Sequence, residues 1–270
     1  WDDLEPSPGV YGGEPNWLEI ANVFYPSQEV QISLAISPID TNNLRLPSDL
    51  ANKSFDDPEV IECYKRLLDY VFSQIPDLRL SSLSIGNEID VYLGTDPKRW
   101  QDYKTFFEEV SSYAKSLRPD LLVGAKVTFS GLRTAETLIT DLNTVADVVM
   151  LTYYPLNDDF TVKEPTAVHD DFAKLVELFP NKPIYILEAG YPSSPLNQSS
   201  ESKQATFISS IFSAWDTYPQ IKLISFTWMH DLPAETVEFY KDYYGLSDPV
   251  FLAYLSSLGL RSHEGKDKAA

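Results

Sequence analysis

Three histidines, one cysteine and 11 glycines in 270 residues leave several chemistries short of parts. A lone Cys63 cannot close an intrachain disulfide, so packing must hold the fold, and its place in a helical pattern reads as a small buried apolar residue. Three scattered histidines do not make the cluster of histidine and carboxylate ligands that a metal-dependent hydrolase requires. There is no Gly-x-Ser-x-Gly elbow for a serine esterase and no glycine-rich phosphate turn for a nucleotide. No run approaches the roughly 18 apolar residues of a membrane span, and the sequence shows no signal peptide but opens abruptly on Trp1, as a chain whose leader has been removed would. Positive charge is scarce too: 21 lysines and arginines stand against 40 aspartates and glutamates, a formal net charge of −19. Nucleic acid and anionic membranes are poor partners for such a surface, whereas a neutral ligand is indifferent to its sign.

What the chain does have is alternation. Short apolar runs at 30–36, 80–86, 121–127, 147–153, 183–188 and 222–228 read as strands. Between them lie segments of helical periodicity. In 57–75, Val60, Ile61, Tyr64, Leu67, Leu68, Val71 and Phe72 recur at spacings of three and four, opened by Asp57-Pro58 and closed by Pro76. The stretch 97–118 repeats the pattern between Asp96-Pro97 and Pro119, and Ser199 or Ser200 with Glu201 and Gln204 suggests a capped start for 200–216. Strands apolar almost throughout, each returning through a helix, imply a parallel sheet buried on both faces. A closed (β/α)8 barrel and an open doubly wound sheet both fit. The chain shows six strands where a closed barrel needs eight.

Two glutamates stand where strands give way to turns: Glu88 in Ile85-Gly86-Asn87-Glu88 and Glu188 in Ile186-Leu187-Glu188-Ala189-Gly190. A pair of carboxylates is the minimum equipment for cleaving a glycosidic bond, one as proton donor and the other as nucleophile or base. A separation of about 5–5.5 Å gives retention and about 6.5–9.5 Å gives inversion.

With these motifs the chain resembles the clan of retaining glycoside hydrolases built on the (β/α)8 TIM barrel. The resemblance rests on Gly86-Asn87-Glu88 after the fourth barrel strand, Thr152-Tyr153-Tyr154-Pro155 after the sixth, Glu188-Ala189-Gly190-Tyr191-Pro192 after the seventh and Phe226-Thr227-Trp228 after the eighth. The opening Trp1 to Tyr11 looks like the loop after the second strand. The Tyr-Tyr-Pro and Glu-Ala-Gly-Tyr-Pro runs look most like endo-β-1,4-galactanases, followed by endo-β-1,3-glucanases and the cellulase-mannanase group. The resemblance implies an α/β fold, one barrel domain over 1–270, with the first one or two βα units missing from the chain. Strand edges left open in such a piece would need cover, for which self-association is a candidate.

The same resemblance implies hydrolysis of O-glycosidic bonds in a β-linked oligo- or polysaccharide through a covalent glycosyl-enzyme intermediate, without metal or organic cofactor. A secreted or periplasmic setting goes with that role. Glu88 would be the general acid/base and Glu188 the nucleophile. Asn87 would bond the sugar 2-hydroxyl. Tyr153, ahead of Tyr154, would donate to Glu188, and Trp228 would form the floor on which a pyranose stacks. Trp1, Asp40, Asn42, Lys126 and Asp231 occupy strand-end loops as candidate subsite groups, while Trp17, Trp100 and Trp215 read as structural. The arginine that the clan carries near its second strand has no counterpart here. The competing reading is a non-catalytic carbohydrate-binding or scaffold barrel. Retention of both carboxylates argues against it, because like charges in a cleft are costly unless function uses them.

Overall fold

The structure, a computed structural model, describes residues 1–268. It divides into two compact units, Trp1–Met150 and the chain from Leu151 onward. The first holds the helix α1 (Trp17–Ser27), strands β1 (Ile32–Asp40) and β2 (Asn43–Leu44), α2 (Pro58–Gln74), β3 (Leu80–Asn87), α3 (Ile89–Leu93), α4 (Pro97–Leu117), β4 (Leu122–Gly124), β5 (Lys126–Thr128) and α5 (Glu136–Asn143). The chain passes through β6 (Val149–Tyr153) into the second unit, with α6 (Val168–Leu178), β7 (Ile184–Ala189), α7 (Glu201–Thr217), β8 (Ile221–Phe226), α8 (Ala234–Tyr244) and α9 (Pro249–Ser256).

All six expected strands form. The third is divided, with Ala125 separating β4 from β5 where the sequence reads one run over 121–127. In the first unit β1, β3 and β4 are parallel neighbours, and the short β2 folds back antiparallel on β1. In the second, β7 and β8 are parallel. Each main strand is followed by a helix, so the fold is α/β with parallel strands.

The helix starts follow from their caps. Asp57 accepts from the Glu59 amide and Asp96 from the Lys98 amide, each ahead of a first-turn proline, and Ser200 accepts from the Lys203 amide. The apolar stripe of α2 is buried from Val60 to Phe72, with Cys63 within it as a free thiol. α4 lays Trp100, Tyr103, Phe106 and Phe107 into the same core, where the Tyr103 hydroxyl donates to the Ile85 carbonyl at 2.7 Å.

Two tryptophans differ in burial from what their readings imply. Trp17, read as structural, is 70% exposed on α1, a helix without a buried residue. Trp1, read as a subsite group, is 5% exposed. Its indole donates to Glu5 at 2.6 Å and its ring meets Tyr64 edge-on. Trp100 is core, and Trp215 donates to the Ile221 carbonyl at 2.7 Å, as structural residues should. No helix among the described residues is long and apolar enough to cross a membrane.

Gly86 decides how β3 ends. Its φ is +88°, and a Cβ there would stand 2.4 Å from Ile89 Cγ2 and 2.8 Å from the Tyr103 hydroxyl. Glycine alone meets both the backbone and the space requirement. Gly86→Ala should lower unfolding stability by about 3 kcal/mol in urea titration; an unchanged midpoint would show that this turn relaxes freely.

Candidate active site

At the end of β3 the backbone takes a positive φ twice, at Gly86 within the strand and again at Glu88 just beyond it, whose φ and ψ are 47° and 45°. Glu88 is half-buried and heads the short α3. The neighbouring β1 ends beside it. Ile36 pairs with Ile85 and Asp40 with Asn87, with a register shift between, and this shift carries the Asp40-Thr41 corner to the Asn87-Glu88 turn. The Asn87 side-chain amide donates to Asp40 Oδ1 at 2.6 Å. The Thr41 backbone N–H donates to the Asn87 carbonyl at 2.9 Å, and the Thr41 hydroxyl donates to Glu88 Oε2, also at 2.9 Å. The Asn87 side-chain oxygen is buried and has no partner among the described residues.

Asp90 anchors the turn from the other side. It is 8% exposed, with Oδ1 accepting from the Thr128 amide at 2.7 Å and Oδ2 from the Thr128 hydroxyl at 2.6 Å. Thr128 ends β5, so α3 is pinned to a strand end two residues past Glu88. A Cβ at Gly131 would stand 2.2 Å from Asp90 Oδ2, so that position too requires glycine for packing. Lys126, at the start of β5, is 7% exposed.

In the second unit Glu188 lies half-buried at the end of β7. The Tyr154 hydroxyl donates to Glu188 Oε2 at 2.8 Å. Tyr153, the expected donor, is fully buried, and its hydroxyl instead donates to Asp171 of α6 at 2.7 Å. Its ring packs edge-on to Phe172 and stacked on Phe207. Alternation along the strand is the cause: neighbouring side chains leave on opposite faces, and Tyr153 takes the helix-covered one. Burial raises the Tyr153 phenol, with the Asp171 charge adding to it, and burial raises Asp171 as well.

Gly190 makes room for Tyr154, because a Cβ there would stand 2.7 Å from the ring. The ring also meets Tyr254 edge-on at 5.6 Å. Trp228 follows β8 through a cis peptide after Thr227. It is half-buried, stacks on Tyr240 at 5.9 Å, and packs with Tyr154 against the cluster of Phe251, Tyr254, Leu255 and Leu258. Asp231 accepts from the Gly259 amide at 3.0 Å and from Lys268 at 2.8 Å, so it fastens the segment after α9.

Sequence reasoning thus reached Glu88, Asn87, Glu188 and Trp228 at strand ends, chose the wrong tyrosine of a pair, and passed over Thr41 and Asp90. The motif offers no spacing signal for either, since their partners are 47 and 38 residues away. No group of three or more histidine, cysteine or carboxylate side chains that could hold a metal occurs among the described residues.

No family model matches the chain, and no curated protein does. Solved structures do. A GH5_18 variant from Bifidobacterium longum subsp. longum, in complex with Manβ1-4GlcNAc, superposes with a TM-score of 0.73 at 14% identity, over 99% of this chain and 64% of its own. An exo-β-1,4-mannosidase from Opitutaceae bacterium strain TAV5 gives 0.69 at 17%, over 99% of this chain and 49% of its own. An active-site mutant of the Rhizomucor miehei β-1,3-glucanosyltransferase, in complex with laminaritriose, gives 0.62 at 15%, over 94% and 80%. The chain therefore spans about half to two thirds of the length of the first two. At this identity the likeness establishes the fold, which is that of the TIM-barrel glycoside hydrolases.

Asp90 yields a pH test. Burial raises its carboxyl above the usual 3.8, against the pull of the Thr128 hydrogen bonds. The native state then holds the proton more tightly than the unfolded chain does, so this contribution to stability is present below the unfolded value and is lost as pH rises through the raised native one. Between about pH 3 and pH 7, the melting temperature of the parent minus that of Asp90→Asn should fall as pH rises and then level off. A constant difference would remove Asp90 as the source.

Proposed function

We propose that the protein hydrolyses β-linked oligo- or polysaccharides with retention at the anomeric carbon. The observation that carries this reading is that two glutamates stand at the ends of parallel strands in a glycoside-hydrolase fold, each with its carboxylate held by a neighbouring hydroxyl. Glu88 serves as general acid/base and Glu188 as nucleophile.

In the first step a Glu188 oxygen attacks the anomeric carbon while Glu88 passes its proton to the departing glycosidic oxygen. The C–O bond breaks with its electron pair on the leaving group, and a glycosyl ester forms on Glu188. In the second step Glu88, now a carboxylate, takes a proton from water as that water attacks the same carbon, releasing the sugar and restoring both groups. The Tyr154 hydroxyl, donating to Glu188 Oε2 at 2.8 Å, fixes the orientation of that carboxyl group. The half-buried Trp228, stacked on Tyr240 by one face, serves by the other as a platform for the C–H face of a pyranose. Asn87, tied to Asp40, holds the corner from which Glu88 projects. The complexes of the similar proteins with Manβ1-4GlcNAc and laminaritriose support a β-linked carbohydrate as the ligand class.

The test is turnover of activated aryl β-glycosides and of β-mannan, β-glucan and β-galactan by the full protein. Glu188→Gln should cut kcat by at least about a thousandfold, and azide should restore turnover to Glu88→Ala on an aryl glycoside by replacing the lost acid/base step with a small nucleophile. A Glu188→Gln variant as fast as the parent would remove the nucleophile assignment, and binding without turnover by the folded parent would favour a carbohydrate-binding protein. Separately, Tyr154→Phe should lower kcat roughly tenfold with KM little changed, whereas Tyr153→Phe should act on the melting temperature instead.

A further inference from the structure

We propose that Thr41 is a positioning residue for the acid/base, held in a left-handed backbone conformation so that its hydroxyl aims the Glu88 carboxyl. The inference rests on the reading of Glu88 as acid/base and goes beyond it by naming what orients that group.

Thr41 follows the last residue of β1 with φ at +55°. For a β-branched residue this is an unfavourable conformation, crowding Cβ against the backbone. Glycine would adopt it at no steric cost but carries no donor. Thr41 instead makes two contacts to one turn. Its backbone N–H reaches the Asn87 carbonyl, and its hydroxyl reaches Glu88 Oε2, each at 2.9 Å. Glu88 is itself left-handed at φ +47°. Two adjacent parallel strands therefore end in strained residues that clasp one another by main chain and side chain. Strain of this kind persists only where the surroundings enforce it, and it gathers where orientation matters.

Orientation matters for a general acid. A glutamate has three side-chain torsions, and proton transfer to a leaving oxygen needs the carboxyl within hydrogen-bond reach and correctly turned. A hydroxyl fixed from the next strand end removes that freedom. The half-buried Thr41 hydroxyl acts through Glu88, with no substrate contact required of it.

Three variants of the full protein separate positioning from folding: Thr41→Ser keeps the hydroxyl, Thr41→Val keeps the shape, and Thr41→Gly removes both the hydroxyl and the strain. Each is assayed on an alkyl β-glycoside, whose leaving group needs protonation, and on a dinitrophenyl β-glycoside, whose leaving group does not. The expected result is a loss of roughly tenfold or more in kcat for Thr41→Val and Thr41→Gly on the alkyl glycoside, little change on the dinitrophenyl glycoside, KM near the parent value, and Thr41→Ser close to the parent on both. Thr41→Gly trades the hydroxyl's hydrogen bond for relief of the left-handed strain, and a melting curve that shows it fully folded at the assay temperature separates its lost turnover from a folding defect. Equal losses on both leaving groups, or full activity of Thr41→Val on the alkyl glycoside, would overturn the proposal.

If the parent turns over no glycoside, the glycosidase reading falls separately, and crystal structures then decide the geometric claim. A Glu88 carboxyl that swings away in Thr41→Val and stays in Thr41→Ser supports positioning by the hydroxyl, and one unmoved in Thr41→Val refutes it.

Discussion

A strand covered on both faces has little place for an unpartnered polar group, and the buried serines of β3 meet this constraint. Ser82 and Ser84 are fully buried there, and each has a bond: Ser82 to the Ser33 hydroxyl at 2.7 Å, Ser84 to the Gly86 carbonyl at 2.8 Å. Along β3 itself no charged residue occurs, and the first one stands one residue beyond the strand. That is where Glu88 stands, two residues after the positive-φ backbone of Gly86. The Asp40, Thr41, Asp90 and Thr128 contacts follow from the same condition, because polar groups emerging at neighbouring strand ends find one another before they find water.

The second unit meets the constraint with aromatic rings. Tyr154 and Trp228 pack against the Phe251, Tyr254, Leu255 and Leu258 cluster, so the groups around Glu188 are placed by apolar packing and then oriented by the Tyr154 hydroxyl. A ring with two torsions and a polar tip suits that work. Its body is fixed by burial at low entropic cost, and its hydroxyl is left pointing where a carboxylate needs a donor. Gly190, which leaves space for the ring, matters as much as the ring.

Much of this was legible in the residues alone. The capped, proline-opened helices at Pro58 and Pro97 start where the sequence places them, because caps and prolines are local requirements that hold whatever packs nearby. The strand-end positions of Glu88 and Glu188 were legible for a related reason: an apolar run that ends in a glutamate beside glycine marks the edge of burial. Trp1 was less so. An aromatic residue early in a loop has the same composition whether it lines a cleft or fills a core, and its burial against Tyr64 depends on a helix 63 residues away.

The order of strands and helices, the boundaries set by caps and turns, and the two carboxylates at strand ends are written in the residues themselves, because all of them depend on neighbours within a few positions. Which tyrosine of the 153–154 pair reaches Glu188, and that Thr41 clasps Glu88 while Asp90 clasps Thr128, came from packing between distant segments. Those choices depend on which face of a strand a helix covers and on how far two strands slide in register. Both are properties of packed pairs of elements, and no single stretch of chain encodes them.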